Sequence, residues 1–187
     1  MKKEDERMDL QKQLLNEYTI TIHSYPDNTI ENIPEFLKKI DNITSQKEDS
    51  TIQLLDCDYI CGIKHLNQAI AQSIKAFQEK QNFAHDRGLE ICVRLSAQKQ
   101  ITQALNLLGI KKQGNITVVY INTTDKQIME VETFLSNRRD ELLEEYGSKK
   151  IVEKYELVND ENIEDTLCEK IALLSIKNSL FLFLNNL

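Results

Sequence analysis

Between Tyr59 and Lys80 the chain places Ile63, Leu66, Ala69, Ile70, Ser73, Ile74 and Phe77 in one broad stripe, with Lys64, Gln68, Gln72, Lys75 and Glu79 opposite. That spacing predicts a long amphipathic helix with one buried face and one wet face. Such a helix must be covered by other elements, and the clearest of these is a strand. NITVVYIN (Asn115 to Asn122) is β-branched and almost wholly apolar at its centre, which predicts a strand buried on both faces.

The remaining segments alternate between the two kinds of element. YTITIHSY (Tyr18 to Tyr25) has period two and predicts a strand, with a turn at Pro26, Asp27 and Asn28. Ile30, Ile33, Phe36, Leu37 and Ile40 predict a short helix with Pro34 in its first turns. A polar loop (Ser45 to Ser50) leads to a second strand, Thr51 to Cys57. LEICVRLS (Leu89 to Ser96) fits either a strand or a buried helix. Ile101, Ala104, Leu105 and Leu108 predict a helix closed by Gly109 at the position after the C-cap, where glycine is favoured. Thr124 and Gln127 form a capping-box pattern, and the spacing predicts a helix onward to Gly147. A strand is expected at Ile151 to Leu157, and a last helix from Asn162 through Ile163, Leu167, Ile171 and Leu174. Strands separated by helices make an α/β (α+β) chain, a single domain with a small mixed β-sheet packed with several helices. The expected division is a charged N-terminal segment (1–17), the domain itself (18–177) and an apolar C-terminal tail (178–187).

Apolar residues make up 41% of the chain, enough for a core and too many for wholesale disorder. The longest apolar runs, such as FLFL (Phe181 to Leu184), fall far short of the roughly 18 residues of a membrane span. The opening MKKEDERMDLQKQ is charged and offers no apolar stretch to a translocon, so a cytoplasmic protein without membrane contact is expected. The net charge of −7 argues against indiscriminate nucleic-acid binding. It is unevenly spread. Residues 1–56 carry 7 basic and 12 acidic side chains, residues 57–112 carry 8 and 4, and residues 113–187 carry 8 and 14. The middle third is therefore the segment able to present a basic face, although the same lysines could simply keep a helix soluble.

Enzyme signatures are missing. There is no phosphate-cradling P-loop, no G-x-G-x-x-G among the five glycines, no G-x-S-x-G elbow and no H-E-x-x-H. Cys57, Cys61 and His65 have helical spacing that could supply zinc ligands, but no fourth ligand is near, and cysteines also serve as small inward hydrophobes. No metal and no cofactor are expected. IALLSI (Ile171 to Ile176) is apolar nearly all round, so one side can pack on the domain's own sheet and the other is left as a partner surface. Leu167, Ile171, Leu174 and Ile176 are the candidates for it.

The stretch from Asp56 to Ile110 resembles the smallest kinase-binding subunit of the KEOPS/EKC complex, the PRPK-binding protein (TPRKB) family, in its archaeal form. The resemblance rests on Gly62, His65 and Leu66 in a Gly-x-x-His-Leu helix start, Ala69 one turn on, then Asn82, Glu90 and Leu95-Ser96-Ala97. Gln100, Ile101, Ala104, Gly109 and Ile110 follow in order. The valine-rich strand and the Ile-Ala-Leu-Leu of the last helix extend the likeness over Thr19 to Ile176. The FLFLNNL tail lies outside the pattern.

The resemblance implies a non-catalytic subunit that binds a small atypical kinase/ATPase subunit. Through that subunit it is linked to a threonylcarbamoyl-transferase and a dimerising subunit. The assembly makes threonylcarbamoyladenosine next to the tRNA anticodon, and this subunit is expected to hold tRNA by its 3′ CCA end. From charge alone, Lys64, Lys75, Arg87, Arg94, Lys99, Lys111 and Lys112 are candidate RNA contacts, with His65 beside them. His65 has a second reading, as a histidine bonded to a neighbouring loop that Gly62 lets approach, with Glu90 as its candidate partner. A competing function of another class is a small RNA- or nucleotide-processing enzyme using His65 and Glu90 as an acid–base pair.

Overall fold

The valine-rich run between Gln113 and Ile121 forms the middle strand of a three-stranded sheet. The computed structural model describes residues 15–158 and 161–185, with side chains as far as Ile176. Most of the charged N-terminal segment, and the side chains of the apolar tail, lie outside the described residues. In chain order the elements are β1 (Ile20–Thr29), α1 (Ile33–Thr44), β2 (Thr51–Asp56), α2 (Gly62–Gln78), α3 (Arg87–Leu95), α4 (Ile101–Leu108), β3 (Gln113–Ile121), α5 (Asp125–Glu132), α6 (Ser148–Lys154) and α7 (Ile163–Asn185). Single 3-10 turns occupy Cys57–Tyr59 and Asp140–Glu144. The elements form two compact units, Met1–Asp58 with Gly109–Tyr146 and Tyr59–Leu108 with Gly147–Leu187. Each unit is built from two separated segments, which is why no linker composition marks a boundary. No helix among the described residues is long and apolar enough to cross a membrane.

The first unit carries the sheet, in the order β1-β3-β2 with both pairings antiparallel. It mixes strands and helices as expected, although the sheet itself is antiparallel and not mixed. Every residue from Ile116 to Ile121 is buried, as a central strand with apolar residues on both faces requires. On one face, Tyr25, Leu54, Val118 and Tyr120 form a core with Phe36, Ile40 and Ile43 of α1 and Val131 of α5. Asn32 caps α1 by accepting the Glu35 N–H at 3.1 Å. The capping box of Thr124 and Gln127 is present. Gln127 also donates from Nε2 to Ile43 O at 2.8 Å, so the start of α5 satisfies a carbonyl at the end of α1.

Two expectations fail here for local reasons. Pro26 and Asp27 do not end β1. They form a bulge opposite Asn115, Asp27 taking a φ of 51° and donating its N–H to Asn115 Oδ1 at 3.0 Å, while the pairing resumes at Asn28. The helix predicted from Thr124 to Gly147 stops at Glu132. The chain then runs along β1, where Asn28 exchanges hydrogen bonds with the Ser136 backbone at 3.0 and 3.1 Å. Arg139 N–H donates to Ser24 O at 2.8 Å, and Ser24 N–H donates to Asp140 Oδ1 at 3.1 Å. These contacts cover a strand edge that would otherwise expose unpaired backbone.

The second unit is helical. α2 is the predicted amphipathic helix, and it packs against α3 and α7. LEICVRLS resolves as helix α3, started by Asp86, whose carboxylate accepts the Leu89 N–H at 2.8 Å. Ile151 to Leu157 is not a strand. Ile151 and Tyr155, four residues apart, are both buried at the helical spacing of α6 and the residue that caps it.

Helix ends in this glycine-poor chain use other residues where glycine is favoured. Lys80 (φ 55°), Ala97 (φ 53°) and Glu156 (φ 52°) each follow the C-cap of α2, α3 or α6 in the left-handed region. The paired bonds of a Schellman motif accompany each one: Gln81 N–H to Ala76 O, Gln98 N–H to Val93 O, and Leu157 N–H to Val152 O. Gly109 does not take this role, since Gly62 is the glycine among the described residues with a positive φ, 75°. A left-handed non-glycine residue costs about 1–2 kcal/mol, partly offset by the extra freedom of glycine in the unfolded chain. Lys80→Gly, Ala97→Gly and Glu156→Gly together are therefore expected to raise stability by about 2 kcal/mol in urea melts. A fall in stability would refute that balance.

Candidate functional site

His65 lies on the buried face of α2 with no exposed surface. Gly62 starts the helix in a left-handed conformation, which lets the Cys61 N–H fold back onto His65 Nδ1 at 3.1 Å. Because Nδ1 accepts, the ring proton sits on Nε2, which donates to Leu95 O at 3.0 Å. Leu95 ends α3, so the histidine satisfies a carbonyl that the helix leaves unpartnered. Tyr155, after α6, places its hydroxyl 2.8 Å from Tyr59 O and 3.2 Å from the same Leu95 O. Burial holds the imidazole neutral, pulling its pKa from 6.5 down to about 3. Leu66 and Ala69 are fully buried on the same helix face. The Gly-x-x-His-Leu pattern thus works as a helix-start and helix-end clamp.

Glu90 is not the partner of His65. Both are fully buried, but Glu90 Oε2 accepts the N–H groups of Phe83 and Ala84 at 2.7 and 2.8 Å, and its Oε1 accepts from Arg94 Nε at 2.8 Å. Arg94 is 1% exposed and lies 4.8 Å over the Phe83 ring. It also donates to Ser175 Oγ at 2.7 Å, and Ser175 Oγ donates to Gln72 Oε1 at 2.7 Å. The acid–base pair is therefore replaced by two separate structural nodes. With both imidazole nitrogens committed to backbone groups, the Cys57, Cys61 and His65 spacing supplies no imidazole to a metal. The four cysteines are free thiols, all buried.

The basic candidates are divided between the two units and differ in burial and pairing. His65 and Arg94 are buried, so neither lies on an outer surface that an RNA backbone could follow. Lys64 is paired with Asp165 and Lys75 with Glu79 at 3.8 Å. Arg87 is half-exposed and Lys99 exposed in the helical unit, while Lys111 and Lys112 belong to the sheet unit. Lys111 donates to Gly109 O at 2.7 Å and lies 3.7 Å from Asp56.

α7 corrects the expected partner surface. Leu167, Ile171 and Leu174 are buried on α7, which packs against α2. Among the described residues of α7 the exposed large apolar side chains are Leu173 and Ile176, at 50% and 63%. Of the predicted set only Ile176 faces outward, and Leu173 was missed. The signal lay in the spacing: Leu173 and Ile176 continue from Glu169 at i+4 and i+7, a second stripe beside Leu167, Ile171 and Leu174. Periodicity shows both stripes and does not say which one the core takes.

Removing one member of a buried ion pair strands the other charge. Arg94→Met is expected to cost about 3–5 kcal/mol in urea melts, with more than half regained when Glu90→Gln is added. Equal losses in the single and double variants would refute the pairing. His65 makes stability depend on pH. The unfolded ring takes up a proton below 6.5 and the folded ring only near 3, so its contribution is lost as pH falls through that window, at up to about 1.4 kcal/mol per pH unit. His65→Gln keeps a donor for Leu95 O and does not titrate. Its stability between pH 6.5 and 4 should fall less steeply than that of the wild type, and parallel curves would refute the assignment.

The chain is similar in sequence to known proteins. The family model described as kinase binding protein CGI-121 matches residues 28–175. The regulatory protein Cgi121 of Methanocaldococcus jannaschii is 27% identical over 128 residues, covering 67% of this chain and 83% of the relative. The family match takes in β2, β3 and the end of β1, the histidine clamp, the Glu90–Arg94 node and α7 as far as Ser175, and on that extent the chain belongs to the CGI-121 kinase-binding family, the KEOPS small-subunit family.

Proposed function

We propose that this chain is a non-catalytic, cytoplasmic subunit of a KEOPS complex. It docks on the atypical kinase/ATPase subunit through the outer stripe of α7. It recruits tRNA by its 3′ CCA end for threonylcarbamoyladenosine formation next to the anticodon, and it reaches the threonylcarbamoyl-transferase and dimerising subunits through the kinase. The observation that carries the docking half is the pair Leu173 and Ile176, large apolar side chains left in solvent on a helix whose other stripe is core. The tRNA half rests on the family resemblance together with the basic side chains that reach solvent, Lys99 and Lys112 among them. A non-catalytic role agrees with the inward use of His65, Glu90 and Arg94, each spent on holding backbone and helices together.

Docking is tested by titrating the kinase subunit with variants of the full chain. Ile176→Glu is expected to weaken binding about 100-fold with the melting temperature unchanged, as loss of a central interface anchor does. Leu174→Glu is expected to unfold the protein, because Leu174 is core. Wild-type affinity in Ile176→Glu would overturn the α7 reading. For tRNA, intact molecules should bind about tenfold or more tighter than molecules lacking CCA, with affinity falling steeply as salt rises. Lys99→Glu with Lys112→Glu should lower affinity for both. Equal binding of the two tRNAs would remove CCA capture from the proposal.

A further inference from the structure

A cavity of about 150 Å3 opens in the helical unit, lined by the C-terminal half of α2, Gln81, Arg94 and α7. Gln72, Lys75, Glu79 and Ser175 contribute polar groups to it, and Ile176 stands beside them. Its most buried member is Arg94. A guanidinium carries two N–H groups on each terminal nitrogen. Arg94 uses Nε on Glu90, one N–H of Nη1 on Ser175 Oγ at 2.7 Å, and one of Nη2 on Gln81 O at 3.4 Å. One N–H on each terminal nitrogen remains without a partner among the described residues. The Phe83 ring, 4.8 Å from the guanidinium, and the Glu90 bond hold the group in place. Gln72 uses its oxygen as acceptor for Ser175, which leaves its NH2 group as a donor. Lys75, 3.8 Å from Glu79 in a half-exposed pair, adds another.

The donors therefore converge on a space that needs acceptors. Size and charge narrow the ligand. A volume of 150 Å3 corresponds to about five waters, enough for the end of a side chain and too small for a nucleotide. Arg94 and Lys75 are already balanced by Glu90 and Glu79, so a bound group is held by hydrogen bonds and not by net charge, and a monoanion is opposed less there than a phosphate dianion. A single carboxylate that takes Lys75 from Glu79 would meet the unused N–H groups of Arg94 with two oxygens, the geometry that guanidinium favours. The apolar contact of Ile176 beside a donor-lined socket is the arrangement of an anchor on a protein interface.

Resting on the kinase-docking reading of α7, we infer that this cavity is the socket for a carboxylate-tipped side chain of the kinase subunit. Both contacts form at once, Ile176 against an apolar surface and the carboxylate on Arg94, Gln72 and Lys75. The test is calorimetric titration of the full chain with the purified kinase subunit at two salt concentrations. Gln72→Met with Lys75→Met removes the mobile donors at partly exposed positions, and Gln72→Glu keeps size and the Ser175 contact while placing a negative charge in the socket. Binding is expected to weaken about tenfold or more in each, with a shallower salt dependence for the double variant and unchanged melting temperatures. Wild-type affinity in both, with binding lost in Ile176→Glu, would overturn the socket and leave docking intact. Wild-type affinity in all three would overturn both. Weakening in the socket variants alone would keep the socket and move the apolar anchor away from Ile176.

Discussion

The carbonyl of Leu95 is the point on which the helical unit depends. A buried acceptor at a helix end must be partnered or the fold loses the full desolvation cost of the group. Two side chains from other elements meet there, His65 Nε2 at 3.0 Å and the Tyr155 hydroxyl at 3.2 Å. The first brings the start of α2 to the end of α3, because the same imidazole accepts the Cys61 N–H. The second brings in the end of α6. The Glu90–Arg94 pair then fastens the loop after α2 on one side and reaches Ser175 of α7 on the other. α7 is held by that contact together with its own apolar stripe on α2 and the pair Lys64–Asp165.

That use of polar residues shapes the functional reading. Histidine, glutamate and arginine are the side chains that most often do chemistry, and here the three with the most suggestive spacing are shut away from solvent. Their hydrogen bonds go to backbone carbonyls, backbone N–H groups, one serine and each other, and the two N–H groups that Arg94 has left line the cavity. The surface features that bear on function are the outer stripe of α7, a donor-lined cavity beside it, and exposed lysines of which several are already paired. A surface of that kind suits association with macromolecules.

Much of the fold was legible from local pattern. Alternation placed β1, a β-branched apolar run placed β3, and the segment Thr51 to Cys57 read as β2, because alternation and β-branching report directly on burial in a sheet. The stripe from Ile63 to Phe77 placed α2, and Thr124 with Gln127 announced the start of α5 because the box is a contact within four residues. The failures have a common cause. Pro26 and Asp27 read as a turn, yet Asn115 across the sheet accepts the Asp27 N–H and keeps the strand going as a bulge. The helix after Thr124 read as continuous because Leu135 and Leu142 kept its spacing, whereas the edge of β1 needed covering and took the chain from Ser136 to Asp140 for that purpose. Gly109 read as a left-handed cap, while Lys80, Ala97 and Glu156 took that conformation, stabilised by Schellman bonds that no residue identity signals.

The candidate site was less legible than the fold. The Gly-x-x-His-Leu pattern and Glu90 were recognisable as important, but not for what. By itself the sequence determined the kind of elements, the family resemblance and the residues that had to be special, since those follow from periodicity, capping and composition along the chain. Tertiary structure decided which stripe of α7 is core, that His65 and Glu90 serve separate nodes, and that Arg94 is buried in place of facing RNA. Those choices depend on partners far away in sequence, and a buried polar group takes its role from whichever distant atom is within about 3 Å of it.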